Sequence, residues 1–117
     1  MIHVYGIPNC DTVKKALTWL KENNVAFDFH DFKKEGITAL KLKEWLKTAA
    51  LDQVLNKKSI AFRNLTASER QQTTIKAKAI KLMQNNTNLI KRPVIETAGT
   101  ILNGFNKDEF QKAFGKK

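Results

Sequence analysis

The chain has 117 residues, of which 42% are apolar and 27% are charged, and this length and composition fit one globular domain. No apolar run approaches the roughly 18 residues of a membrane-spanning helix, so we expect a soluble protein, and the single cysteine excludes an internal disulfide. The net charge of +10 favours an anionic partner without choosing among nucleic acid, an acidic protein and a small oxyanion or carboxylate. Because the first residues lack the features of a secretory signal, we expect a cytoplasmic location.

The first third of the sequence predicts a strand, a helix and a second strand. Residues 2–5 are β-prone and end at a loop, residues 6–9, that contains glycine and proline. A helix should begin at about Cys10, and a strand with period-two alternation should follow at residues 25–29. Four apolar residues with helical spacing predict the helix: Val13, Ala16, Leu17 and Leu20. Because a helix crosses between the two strands, we expect them to be parallel.

A helical insertion is predicted next, over about residues 38–86. Thr38 is a suitable cap for its first helix, and Thr66 begins a capping box for a later one. Between them, residues 55–63 form a basic stretch that we interpret as irregular.

A hairpin and a last helix complete the chain. Residues 93–96 and 100–103 flank a turn and predict two antiparallel strands, and Asn106 can cap the final helix. The order is therefore βαβ, a helical insertion and ββα, which is the order of the thioredoxin fold. We expect an α/β protein whose residues 1–117 form a single thioredoxin-like domain with a mixed four-stranded sheet.

Cys10 is the first candidate for chemistry, because it lies where the first strand gives way to the first helix. Free backbone N–H groups and the positive end of the helix dipole favour a thiolate there, and the thiolate is the nucleophile of sulfur chemistry. The alternative is that Cys10 is an inert packing residue, since free cysteines are among the most buried residue types. The preceding loop, residues 6–9, favours the reactive interpretation.

Arg92 and Pro93 are the second feature, at the start of the predicted hairpin. A proline at this place gives no N–H to a sheet ladder, and the bond before it is either cis or trans. In a thioredoxin-like arrangement this turn faces the cysteine and leaves backbone groups free to pair with an extended ligand such as a tripeptide thiol. The candidates for an anion pocket, each of which is otherwise a surface charge, are Arg92, Arg63 and one of Lys57 or Lys58.

Three segments, residues 5–16, 55–58 and 89–94, closely resemble the arsenate-reductase-like family. The resemblance spans nearly the whole chain and is greatest for the YffB-type glutathione-dependent thiol reductases and for the regulator Spx. It implies a thioredoxin fold with a helical insertion, a nucleophilic cysteine at Cys10, a cis proline at Pro93 and an oxyanion-binding arginine at Arg92.

Several positions depart from the patterns of this family. Arsenate reductases carry a histidine where this chain has Gly6 and a further arginine where it has Gly104, and a third basic position is filled by Lys57 or Lys58. These departures weaken the case for arsenate as the substrate. Spx-type regulators commonly have a second cysteine where this chain has Val13, so an internal disulfide switch is excluded.

The remaining candidates are fewer. Asn9 and Thr12 flank Cys10 and are the further substrate-binding candidates, and Thr12 is placed either to serve the helix start or to hydrogen-bond the sulfur. His3 and His30 are far apart in the sequence and have no second cysteine, so we expect no metal site. Three aromatic residues are interpreted as core and not as a base-stacking platform: Phe27, Phe29 and Phe32.

The leading hypothesis is a glutathione-dependent thiol-disulfide oxidoreductase that acts as a monomer, with Cys10 as nucleophile and glutathione as co-substrate. The alternatives are a Spx-like regulatory module that binds RNA polymerase, with Cys10 as sensor or relic, and an arsenate reductase. A protein disulfide or a small oxyanion is the other kind of partner, no membrane partner is expected, and direct nucleic-acid binding is supported only by charge.

Overall fold

The computed structural model describes residues 2–115, which form two compact units. Met1–Lys33 and Arg92–Lys117 make up the first, here called the sheet unit, and Lys34–Lys91 make up the second, here called the helical unit. In the part of the chain that is described, no helix is both long enough and apolar enough to cross a membrane.

The elements alternate as the sequence predicts, with several additional short helices. In chain order they are β1 (Ile2–Gly6), α1 (Asp11–Glu22), β2 (Phe27–Asp31), α2 (Phe32–Glu35), α3 (Ala39–Thr48), α4 (Leu51–Val54), α5 (Ile60–Arg63), α6 (Ala67–Gln72), α7 (Lys76–Asn85), a 3-10 turn (Thr87–Leu89), β3 (Val94–Thr97), β4 (Thr100–Asn103) and α8 (Lys107–Phe114).

The four strands form one mixed sheet in the order β2-β1-β3-β4. β1 is parallel to β2 and antiparallel to β3, with Tyr5 opposite Val94 in the second pair. β3 and β4 form an antiparallel hairpin, closed by a turn at Ala98 and Gly99 whose φ angles are both positive, 48° and 78°. The expected α/β fold is confirmed, because this is the thioredoxin-like βαβ–ββα arrangement with a helical insertion.

The core of the sheet unit lies between one face of the sheet and the helices α1 and α8. Strand residues Val4 and Ile95 are fully buried there, together with Phe110 of α8. Phe32, at 3% exposed, is confirmed as a core residue, whereas Phe27 and Phe29 are partly buried and pack against this cluster. The residues of α1 that enter the core, Ala16 and Leu20, belong to its predicted apolar stripe.

The helical unit has a core of its own, formed where α3 packs against α7. Thr38 caps α3 as predicted, since its hydroxyl accepts a hydrogen bond of 3.1 Å from the Lys41 backbone N–H. Trp45 is 2% exposed, and Thr66 closes the predicted capping box with Glu69 at the start of α6.

Two local details differ from the sequence prediction. Residues 60–63, which the sequence predicts to be irregular, form the single helical turn α5, because the Ser59 hydroxyl accepts a hydrogen bond of 3.0 Å from the Phe62 N–H. β2 begins at Phe27 and not at Val25.

Candidate active site

Cys10 is the N-cap residue of α1, at the end of the loop that follows β1. Its backbone is extended, with φ −103° and ψ 125°, and its carbonyl oxygen accepts the first helical hydrogen bond, 2.9 Å long, from the Lys14 N–H. The side chain is a free thiol that is partly exposed and makes no hydrogen bond to the helix start. The loop brings a partly exposed cysteine to the N-terminal end of a twelve-residue helix, where backbone N–H groups lack intrahelical partners.

Arg92 and Pro93 lie at the same end of the sheet as the cysteine loop. Tyr5 pairs with Val94, so the residue before Val94 in one strand and Gly6 in the other lie where the paired strands end. The peptide bond between Arg92 and Pro93 is cis, as the family resemblance implies. Pro93 is buried and Arg92 is half-buried, which gives this end of the sheet a fixed backbone edge beside a cationic side chain.

Two glycines shape this end of the sheet. A Cβ added to Gly6 would lie 2.9 Å from Cγ2 of Val13, a residue that is fully buried, so a side chain fits here only if Val13 or the helix that carries it shifts. Gly104 has a φ of 80° and donates its N–H to the Pro93 carbonyl oxygen at 2.9 Å. Both departures from the arsenate-reductase pattern are therefore built into the packing or the backbone of this chain.

The other predicted site residues are divided between the two units. Asn9 and Thr12 are exposed on either side of Cys10 in the sheet unit. Lys57, Lys58 and Arg63 lie exposed in the helical unit. The Lys57 ammonium pairs with the Asp52 carboxylate at 2.9 Å, a solvent-exposed contact of small energetic value. A role for these three cations in an anion pocket stays a prediction.

The sequence prediction missed a polar cluster on the sheet face opposite the core. His3 Nδ1 lies 3.0 Å from His30 Nε2, and the Tyr5 ring stacks on His30 with centroids 4.5 Å apart. Asp28 and Glu96 flank the group, with the Tyr5 hydroxyl donating to Glu96 Oε1 at 3.4 Å. The parallel pairing of β1 and β2 sets His3 opposite Asp28 and Tyr5 opposite His30, and no local pattern in the sequence indicates that register. Within residues 2–115, no group of three or more His, Cys, Asp or Glu residues is placed to hold a metal ion.

The fold and the site together define a class of protein. A thioredoxin-like sheet, one accessible cysteine at the start of its first helix and a cis proline before β3 characterise a single-cysteine thioredoxin-fold protein. The sequence profile of the ArsC family matches residues 5–113, and the chain belongs to that family.

Individual relatives agree with this assignment over nearly the whole chain. An uncharacterised protein of Haemophilus influenzae is 41% identical over 114 residues, which covers 97% of this chain and 99% of the relative. A solved structure named as a YFFB protein superposes with a TM-score of 0.91 at 42% identity, covering 97% of this chain and 98% of the other. The global transcriptional regulator Spx 1 of Oceanobacillus iheyensis is 28% identical, with 96% of this chain and 86% of the regulator covered.

Proposed function

We propose that this protein is a glutathione-dependent thiol-disulfide oxidoreductase. The observation that carries the proposal is the free, partly exposed thiol of Cys10, held at the start of α1 and at the same end of the sheet as the Arg92–Pro93 edge. A cytoplasmic location, where thiols are kept reduced, suits an enzyme with a single cysteine.

The reaction requires an external thiol, because the chain has no second cysteine to resolve the intermediate. The Cys10 thiolate attacks the glutathione sulfur of a mixed disulfide RS–SG, so a Cys10–glutathione disulfide forms and the substrate thiolate leaves and takes up a proton. A second glutathione thiolate then attacks the glutathione sulfur of that disulfide, giving oxidised glutathione and restoring the Cys10 thiolate. The net reaction is RSSG + GSH → RSH + GSSG, so one disulfide is lost and one is formed.

The Arg92 guanidinium and the backbone that leads into Pro93 are the proposed binding groups of the sheet unit, since Pro93 itself has no N–H and its carbonyl oxygen accepts from Gly104. The guanidinium offers a planar pair of donors for a glutathione carboxylate, and the backbone edge can pair with the extended tripeptide. Asn9 and Thr12 add hydrogen-bonding groups on either side of the sulfur. The role of Lys57, Lys58 and Arg63 in the same anion binding remains part of the proposal.

Arsenate is the less favoured substrate. The positions of the family's histidine and its further arginine are filled by Gly6, where a Cβ would meet Val13 at 2.9 Å, and by Gly104, whose φ of 80° favours glycine. The site therefore has Arg92 but lacks the histidine and the further forked donor with which an arsenate reductase would surround a tetrahedral oxyanion. Reduction of arsenate with glutathione at a rate comparable to that of a mixed disulfide would contradict this conclusion.

The proposal is tested by exposing the reduced protein to oxidised glutathione and recording the intact mass. We expect one glutathione per chain, located on Cys10 by peptide mapping and removed by reduced glutathione. Turnover is then measured with a small glutathione mixed disulfide as the substrate. A protein that takes up no glutathione and turns over no mixed disulfide would contradict the proposal.

A regulatory function is the second candidate, favoured by relatives that are named as global transcriptional regulators. In that case Cys10 would act as a sensor or be a relic, and RNA polymerase would be the partner. Retention of RNA polymerase on the immobilised protein, together with an absence of turnover, would favour this alternative.

A further inference from the structure

The sheet unit has a surface groove that the proposed chemistry does not use. It lies between the outer face of α1 and the start of α8, and its volume is about 570 Å³. Seven residues line it: Lys14, Lys15, Thr18, Trp19, Glu22, Phe105 and Lys107.

Aromatic rings supply its apolar surface. Trp19 and Phe105 each meet the buried ring of Phe110 edge to face, with centroids 5.4 Å and 4.9 Å apart and interplanar angles of 85° and 88°. Both rings are half-exposed, whereas Phe110 is fully buried. Because the core fixes these two rings, the groove offers an apolar surface that does not have to be ordered when a ligand binds.

The groove has more positive than negative side chains, and those on α1 change from positive to negative along the helix. Lys14, Lys15 and Lys107 are exposed cations, and Glu22 is the single acidic residue of the lining. The two lysines of α1 lie in its first half and Glu22 at its end. Lys14 is one turn from Cys10, about 6 Å along the axis at 1.5 Å per residue, so the cationic end of the groove is the end nearer to the thiol.

We propose that this groove binds an acidic segment of the protein substrate whose oxidised cysteine reacts at Cys10. Carboxylates of the segment would meet the lysines, and an aromatic or aliphatic side chain would lie on Trp19 and Phe105. The distance from Lys14 to Glu22 along the helix is about 12 Å, the span of three or four extended residues. The carboxylate of Glu22 can accept the N–H groups of a peptide, which a polyphosphate lacks, so it favours a peptide.

The docking is tested without thiol chemistry, by titrating the protein with an acetylated peptide that has a phenylalanine between glutamates and with the same peptide carrying lysines instead. Trp19 reports binding by fluorescence, because the other tryptophan, Trp45, is 2% exposed. We expect the acidic peptide to bind and the lysine peptide to bind at least about tenfold more weakly. Equal binding of the two peptides, or binding of a single-stranded oligonucleotide in place of the acidic peptide, would overturn the proposal.

Charge-reversal variants locate the binding on the protein. Lys14→Glu combined with Lys15→Glu should weaken binding of the acidic peptide by about tenfold or more, and Lys107→Glu should weaken it severalfold. The matched controls reverse the same number of charges at exposed positions outside the lining: Lys21→Glu combined with Lys112→Glu for the pair on α1, and Lys112→Glu alone for Lys107→Glu. If each control weakens binding as much as its partner variant, net charge and not the groove attracts the peptide.

That the acidic segment belongs to a substrate rests on the proposed function. Kinetic measurements distinguish failure of the groove proposal from failure of the proposed function. With the acidic and the basic peptide each attached to glutathione through a disulfide, we expect a kcat/KM at least about tenfold higher for the acidic one. Equal turnover of the acidic and the basic peptide would overturn the proposed role of the groove and would leave the proposed oxidoreductase function standing. Binding of the acidic peptide without turnover of any disulfide would support the groove and contradict the oxidoreductase.

Discussion

The two units of this protein differ in how they carry charge and reactive groups. The helical unit has twelve of the 21 Lys and Arg residues but four of the 11 Asp and Glu residues, and the sheet unit has the remaining nine and seven. The large hydrophobic residues most exposed to solvent among residues 2–115 also lie in the helical unit: Leu40, Ile60 and Ile75. The free thiol, the cis proline and the polar histidine cluster belong to the nearly charge-balanced sheet unit.

This difference separates two ways of attracting an anion. A net excess of positive charge raises the local concentration of any anion and is screened by salt. A fixed donor beside a nucleophile selects one ligand and does so at short range. If the proposed chemistry is correct, the nucleophile Cys10 and the donor Arg92 lie in the sheet unit, and changes of charge in the helical unit away from Lys57, Lys58 and Arg63 have only a general effect.

The largest effect is expected from Cys10→Ser. Loss of the nucleophile should lower turnover of a glutathione mixed disulfide about a hundredfold or more. The melting temperature should change by no more than about 2 °C, because serine is similar in size and its hydroxyl can cap the helix start. Lys78→Ser, at an exposed position of the helical unit, should keep the wild-type rate and is the control.

The opposite outcome is also informative for Cys10. If Cys10 were a buried packing residue, the serine hydroxyl in its place would lower the free energy of unfolding by about 1 to 3 kcal/mol, and the variant would melt well below the wild type. Such a loss in a protein that shows no thiol-dependent turnover would favour the regulatory function.

A smaller effect, on stability, is expected from Gly6→Ala. The new methyl group would lie 2.9 Å from Val13. The shifts in packing that relieve this contact should lower the free energy of unfolding by about 1 to 3 kcal/mol. Denaturant unfolding should show a smaller cost in a Val13→Ala background. Gly99→Ala, at a glycine with no atom within 4 Å of its added Cβ, should cost the same in both backgrounds. If Gly6→Ala also costs the same in the wild-type and the Val13→Ala backgrounds, Val13 does not restrict position 6.

The smallest effect distinguishes the two kinds of anion binding directly. Arg92→Ala should weaken the binding of oxidised glutathione by about tenfold, since it removes a charged hydrogen-bond donor from the proposed site. Lys43→Ala removes the same charge from an exposed position of α3 and should change the binding by less than about twofold. Calorimetric titration measures both, and equal losses would show that overall charge attracts the ligand.

Most of the fold could be predicted because its signals are local. The start of α1 at Cys10, the Thr66 capping box and the hairpin at Val94–Thr97 each depend on residues within a few positions of one another. The turn at Ile60–Arg63 was missed because its signal is a single hydroxyl, that of Ser59, in a stretch dominated by lysines.

The site was only partly predictable, because its geometry depends on pairing between distant segments. Cys10 and Pro93 were identified by residue type and family pattern, but their common position at one end of the sheet follows from the β1–β3 register. The contact of His3 with His30 follows from the β1–β2 register. Neither register can be predicted from the residues near the site, because each is selected by burial of the apolar residues on the opposite face of the sheet.

The hairpin turn at Ala98 and Gly99 marks a place where this chain can be made more heat-resistant. Both residues adopt positive φ, a conformation that suits the glycine but costs an alanine about 1 to 2 kcal/mol. An Asn-Gly pair is the preferred sequence of such two-residue turns, so Asn in place of Ala98 would remove part of that cost. Ala98 is exposed and belongs neither to the thiol site nor to the groove, which makes it a suitable first position for a thermostabilised form of the protein.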